Sequence, residues 1–359
     1  MKFISPVLVT AIALLSACSS SDGGGTPSGT GGSGSGGTAP TGSGGTVGTG
    51  GSGSGGDTPG SGGDMGSGGA IIDAPAADTA GDVSKDAPAG ETTGGFSKQF
   101  TCPAGPFAND NIGTRKAECV GFKYRFNYVE GPTWIASQNA FYFSNFNQGD
   151  GHFGDIIKFT PSTGVCETFL QGVGCNGLGV HANGKLIGAC HLTASVMEFD
   201  PVTKEKRTIA DKYMGKNFNS PNDLVAHSSG TIYFSNPTYE SISMNGFGQA
   251  AFWISPTGTV NLLAMGGSNG VALSPDEKTL YVSGMGTWTI DANGVPVAGS
   301  RTNNDPGGDG ISVNCANKRF TPATNSCFGG ADGKTMLIVS GSGGNLHVET
   351  AQMMVPGIP

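Results

Sequence analysis

The stretch Ser268–Gly284, SNGVALSPDEKTLYVSG, decides the fold. An amide residue and a glycine lead a short apolar run, VAL; Pro275-Asp276 marks a turn, and a second apolar run, TLYVS, follows it. That is the pattern of strand, tight turn, strand. The same unit stands upstream as EGPTWIASQNAFYFSN from Glu130, NGLGVHANGKLIGACH from Asn176 and NDLVAHSSGTIYFSN from Asn222, and downstream as DGISVN from Asp309. The five leading residues are 46, 46, 47 and 40 positions apart. A period of about 40–47 residues is that of a propeller blade, so the sequence predicts an all-β propeller.

Blades related by rotation set equivalent residues at one height around the axis. Glu130, Asn176, Asn222, Asn269 and Asp309 are therefore expected to form a ring of oxygen-bearing side chains at one mouth of the central channel. Two carboxylates and amide carbonyls, without His or Cys, suit one hard divalent cation: Ca²⁺ first, with Mg²⁺, Mn²⁺ and Zn²⁺ behind it. Asn-Gly is also a strong hairpin-turn signal. The phase it shares with Glu130-Gly131, Asn222-Asp223 and Asp309-Gly310 favours the ring, because Glu is a poor residue for a left-handed turn position.

The 359 residues include 64 Gly, with the excess concentrated before residue 70. Setting that tract aside leaves chain enough for one large all-β domain. A net charge of −8 and the lack of a Lys/Arg cluster exclude a basic field for nucleic acid. Lys2, the apolar run Pro6 to Leu15 and then Leu15-Ser16-Ala17-Cys18 read as an export signal, and Leu-Ser-Ala-Cys resembles the bacterial lipobox, with Cys18 as the lipidated residue. The organisation expected is a signal peptide over 1–17, a Gly/Ser/Thr-rich disordered linker over 18–97 and a propeller over 98–359. Such a chain is exported and held to a bacterial membrane, the outer membrane or cell surface, by its lipid alone, as a monomer.

Seven further cysteines follow Cys18. Export favours disulfides, and the short loops Cys102–Cys119, Cys166–Cys175 and Cys315–Cys327 are the nearest pairings, leaving Cys190 as a buried thiol, although spacing does not fix connectivity. Gly266-Gly267-Ser268-Asn269-Gly270 matches a serine nucleophile elbow, but that elbow needs a helix after it, and VALSPDEKTLYVS reads as two strands.

EGPTW, SPNDLV with IYFSNPTY, SNGVALSPDEKTLYVSG, GDGISVN and the late CFGGADGKTMLIVS together resemble the SMP-30/gluconolactonase/LRE-like family, from about Tyr128 to the C-terminus. The resemblance implies a six-bladed propeller holding one catalytic divalent cation, usually calcium. By position it implies Glu130, Asn222, Asn269 and Asp309 as metal ligands and Asn176 as a pocket or supporting residue. His191, just after the second strand of its blade and near the expected pocket, is a candidate pocket residue, with a packed or solvent-bonded histidine as the alternative. The 19 residues from Asp309 to Phe328 are far fewer than a blade requires, which predicts a shortened last blade. The function implied is opening of a small, sugar-like lactone or ester by water, with Asp309 as base and Glu130 anchoring the ion from the opposite side. The other class of function is a surface-displayed propeller that binds a ligand or partner and keeps calcium as a structural rivet.

Overall fold

The computed structural model describes residues 96–124, 126–146, 153–239, 246–341 and 348–359. The signal segment, Cys18 and the linker up to residue 95 lie outside them. Of two units in the chain, Met1–Gly68 and Gly69–Pro359, the second holds every described residue.

Strand β1 (Arg115–Ala117) precedes the repeats. Blade 1 is β2 (Val129–Ile135), β3 (Ala140–Phe146), β4 (Phe153–Thr160) and β5 (Val165–Leu170). Blade 2 is β6 (Cys175–Val180), β7 (Leu186–Cys190), β8 (Ser195–Phe199) and β9 (Lys206–Ala210). A ribbon of β10 (Lys212–Tyr213) and β11 (Lys216–Asn217) leads to blade 3, made of β12 (Leu224–Ala226), β13 (Ile232–Asn236), β14 (Ala250–Ile254) and β15 (Val260–Met265). Blade 4 has three strands, β16 (Val271–Leu273), β17 (Thr279–Val282) and β18 (Gly286–Thr289). A two-stranded hairpin, β19 (Ser312–Val313) and β20 (Arg319–Phe320), comes next. Last are β21 (Asn325–Gly329), β22 (Thr335–Val339) and β23 (Val348–Gln352), to which β1 adds the outer edge in the order β1-β23-β22-β21.

The strands form because both faces of a blade are covered by its neighbours. Every residue of β3, AFYFSNF, is buried, and its aromatic side chains pack on the pleat from both sides. The core accordingly lies between blades, in six clusters. Tyr142 and Ile156 of blade 1 pack on Leu186 and Phe199 of blade 2. Ile187 and Val196 of blade 2 meet Phe234 and Phe252 of blade 3, and Tyr233 of blade 3 meets Leu280 and Trp288 of blade 4. Ala272 and Tyr281 of blade 4 meet Ile311 and Val313 at the hairpin, and Phe320 of the hairpin meets Phe328 and Ile338 of the last blade. Leu337 and Val339 close the circle on Phe141 and Phe159 of blade 1. The inner strands touch in the same order, β2, β6, β12, β16, β19, β21 and back to β2.

Two expectations are corrected. Where six blades were predicted, the described residues form five sheets of three or four strands, with only a hairpin between blade 4 and the last. The last blade is not the shortened one: it is a full four-stranded sheet, because Arg115–Ala117 pairs with Glu349–Ala351 and replaces the strand that the C-terminal sequence lacks. The missing length falls on the unit before it.

The disulfides also differ from the nearest-neighbour pairing. They are Cys102–Cys315, Cys119–Cys166 and Cys175–Cys190, with Cys327 as a buried thiol. Cys175 and Cys190 face each other in the β6–β7 register. The segment before β1 runs back under the blades, so Cys102 meets the hairpin turn at Cys315, 213 residues away. Phe96 and Ser97 already touch blade 2, through the His181 ring and the Ala182 carbonyl.

Candidate metal and active site at the channel mouth

The five leading residues do lie at one end of the channel, each against the next unit. Gly131 has φ +50°, and a Cβ there would stand 2.4 Å from the Asn176 carbonyl oxygen and the Leu178 nitrogen. The Gly177 N–H donates to the Asn222 carbonyl at 2.6 Å. A Cβ on Gly310 would fall 2.0 Å from the Asn325 carboxamide carbon. Register shifts between Glu130 and Thr133 and between Cys175 and Leu178 bend the inner strands at the ring, as bulges do where a side chain is re-aimed.

A sixth member, Asn325, is absent from the sequence reading. Its phase is identifiable from the turn after it. The hairpin turns on the inner strands begin at His181, His227, Ser274, Asn314 and Gly330, each closed by an N–H three residues on. Counting back five positions from each gives Asn176, Asn222, Asn269, Asp309 and Asn325. The 16-residue step from Asp309 to Asn325 hides this, because the hairpin stands where other units have a whole blade. The Asn325 carboxamide donates to the carboxylates of both Glu130 and Asp223, and its oxygen accepts from the Ser326 N–H at 2.7 Å. One side chain thus ties blade 1 to blade 3 across the mouth.

Asp223, which takes the place glycine holds after Glu130, Asn176, Asn269 and Asp309, turns its carboxylate into the ring, accepting from Leu224 N and from Val271 N, both at 2.9 Å. Glu130, Asp223 and Asp309 consequently face one another. Burial pushes the Glu130 carboxyl well above the usual range, and Asp309 and Asp223 push it further. Burial raises Asp223 to about 7 against the pull of its backbone donors. Burial raises Asp309 to about 6, while an Asn269 amide N–H bonded to it pulls the other way. Tyr128 donates to Glu130, and burial raises its phenol. The Asn269 amide also donates to the Tyr239 hydroxyl at 3.2 Å.

Asn222 and Asn176 are buried at their ring positions; the Asn222 N–H donates to Ser235 O at 2.9 Å, and the Asn176 carbonyl accepts from Ser144 Oγ at 2.7 Å. His191, just past β7, is 3% exposed, with its ring 5.7 Å from that of Phe146, which in turn stands 6.4 Å from the Tyr128 ring. Burial lowers its pKa to about 4, so it is neutral at pH 7. Below the ring a cavity of about 100 Å³ runs down the channel past Thr133 and Ser326 to His227 and Glu277, and Ser97–Phe100 lines its far end.

The donor set fits a hard cation. Three mutually repelling carboxylates sit together, Glu130 and Asp223 buried and Asp309 half-buried, and none of the ion pairs among the described residues involves any of them. A bound cation would lower the cost of ionising all three. Among the described residues no three His, Cys, Asp or Glu side chains gather closely enough to chelate an ion by themselves. The amides of Asn222 and Asn269 would have to complete the shell.

Fold and mouth together define a β-propeller with a ring of carboxylates and amides at one end of its channel. Residues 128–306 match the SMP-30/gluconolactonase/LRE-like region. A gluconolactonase of Zymomonas mobilis is 32% identical over 261 residues, spanning 60% of this chain and 70% of that protein. The chain belongs to the SMP-30/gluconolactonase/LRE-like family. Solved structures similar in fold include a gluconolactonase from Xanthomonas campestris, with TM-score 0.52 and 20% identity over 71% of this chain and 100% of the other. Another is regucalcin, a calcium-binding protein from Agrobacterium tumefaciens, with TM-score 0.54 and 15% identity over 67% and 95%.

Proposed function

We propose that this protein is a metal-dependent lactonase that opens a small, sugar-like lactone with water at the Glu130/Asp309 mouth. The observation that carries the reading is the meeting of two buried carboxylates, Glu130 and Asp223, and the half-buried Asp309 with the amides of Asn269 and Asn325 at the open end of the channel, in a chain of this family. Glu130, Asn222, Asn269 and Asp309 would hold the cation, Ca²⁺ by the hardness of the oxygen donors. When bound, it supplies Lewis acidity to the lactone carbonyl and lowers the pKa of water beside it.

The remaining work falls to the chain. Asp309 takes the proton of the attacking water, and the Asn269 amide keeps its carboxylate oriented for that. Asn325 and Tyr128 hold Glu130 from two sides, so that it stays put as charge shifts at the mouth. Neutral His191 lies against Phe146 and shapes the pocket wall there. We read the β19–β20 hairpin as a sixth blade reduced to its inner half, which keeps Asp309 at its place on the ring. Cys18 and the segment up to residue 95 are read as the lipid anchor and tether of an exported monomer.

The test is hydrolysis of a lactone panel before and after complete chelation. Activity that is lost on chelation and restored by Ca²⁺ supports the reading; undiminished turnover without metal overturns it. Asp309→Asn separates catalysis from a purely structural ion: lost turnover in a folded, calcium-binding variant is the enzymatic outcome, and unfolding is the outcome of a rivet.

A further inference from the structure

We propose that Tyr239 is a catalytic hydrogen-bond donor, its phenol O–H directed to the ring oxygen of the lactone as negative charge collects there. The inference rests on the lactonase reading above. Tyr239 ends the segment Asn236-Pro237-Thr238-Tyr239, which leaves β13 at the mouth and is fixed at three successive points. Asn236 Oδ1 accepts from Asn219 N at 2.9 Å, the Pro237 carbonyl accepts from Ser220 Oγ at 2.9 Å, and Thr238 Oγ1 accepts from Gln249 Nε2 at 2.7 Å. Two of those three donors come from Asn219 and Ser220, close before Asn222. The loop that presents a ring residue therefore also sets the position of the phenol.

The hydrogen bonds at the phenol decide the direction of its proton. The oxygen accepts from Asn269 Nδ2 at 3.2 Å, and the Asn269 amide also donates to Asp309. A phenol that accepts on one side donates on another. Among the described residues no acceptor takes the Tyr239 proton. The residue is 60% exposed. Tyr128, the other phenol at the ring, differs on both counts, being half-buried with its O–H committed to Glu130. Tyr239 is the one that has an O–H to offer to a molecule entering the mouth.

In a lactone the ring oxygen is bonded directly to the carbonyl carbon. A substrate whose carbonyl lies over Asp309 and Glu130 brings that oxygen toward the neighbouring Asn269–Tyr239 pair. The step balances without any change at the phenol. The water oxygen bonds to the carbonyl carbon as the C=O π pair moves onto the carbonyl oxygen, and Asp309 takes the water's proton. The π pair then returns as the bond from carbonyl carbon to ring oxygen breaks, with its electron pair moving onto the ring oxygen. That oxygen receives the proton from Asp309. Tyr239 keeps its own proton throughout and stabilises the charge while it is present.

The test compares Tyr239→Phe with the wild type on two lactones in saturating Ca²⁺: δ-valerolactone, whose leaving oxygen is an alkoxide, and dihydrocoumarin, whose leaving phenoxide spreads its charge into a ring. Loss of one donor from a developing oxyanion lowers kcat about 10²-fold. That loss is expected on δ-valerolactone, with less than about 5-fold on dihydrocoumarin because little charge then needs the donor. Ca²⁺ affinity by isothermal titration is expected to be unchanged, since the phenol would not touch the ion. Equal losses on both lactones, no loss on either, or weakened Ca²⁺ binding would overturn the assignment. A wild type inert toward every lactone overturns the lactonase reading instead, and Tyr239 falls with it.

Discussion

Replacing Asp309 with Asn is expected to stabilise the metal-free protein, and to do so by an amount that grows with pH. In the folded chain burial keeps the Asp309 proton on to about pH 6, against an ordinary value of 3.8. Below the lower value both folded and unfolded chains are protonated, and the group is neutral in the balance. Between the two values the unfolded chain has released its proton while the folded chain retains it, so folding grows less favourable by about 1.4 kcal/mol for each pH unit. Above the upper value the loss is complete, at about 3 kcal/mol. Asparagine keeps the oxygen that accepts from Asn269 and has no proton to lose. Urea unfolding in chelator at pH 4 and pH 7 should therefore show the variant gaining about 2 kcal/mol on the wild type across that range. Saturating Ca²⁺ should shrink or reverse the gain, because binding to the folded state stabilises the wild type by mass action and the variant has lost a ligand. A difference between the two proteins that does not change with pH in chelator would refute the reasoning, since it would mean that Asp309 is not held in a buried carboxylate cluster.

Gly131→Ala places a methyl 2.4 Å from backbone atoms of blade 2 at φ +50°, and should cost at least about 3 kcal/mol in urea unfolding while weakening Ca²⁺ binding measured by calorimetry. Replacing Cys102 and Cys315 together by Ser opens a loop of 213 residues and should cost up to about 5 kcal/mol, read as a lower urea midpoint; an unchanged midpoint would mean that the bridge adds nothing.

Most of the ring was legible in sequence because it depends on phase. Glu130, Asn176, Asn222, Asn269 and Asp309 recur at blade length, and rotation converts that recurrence into a shared height. Asn325 escaped because the unit before it has shrunk to a hairpin, so the interval shortened while the offset from ring residue to turn held at five. Asp223 escaped for another reason: its neighbour Asn222 already filled the ring position, and only the structure shows a carboxylate in the glycine place reaching Val271 of the next blade. The disulfides and the completion of the last blade by β1 are pairings between residues far apart in the chain, on which a local repeat is silent. Tyr239 is visible only through its contact with Asn269, 30 residues on.

The pairing of Arg115–Ala117 with Glu349–Ala351 has a consequence for the order of folding. A chain that folds from its N-terminal side has β1 early but cannot dock it until β23, more than 200 residues later, is available. Blades 1 to 3 have all their strands in sequence order and can assemble from local segments, whereas joining blade 1 to the last blade waits for β23. Until then β1 is an unpaired strand and the apolar faces of Phe141 and Phe159 are uncovered, a state prone to pairing with other chains. Arrival of β23, rather than completion of any one earlier blade, is the event that makes the molecule a ring.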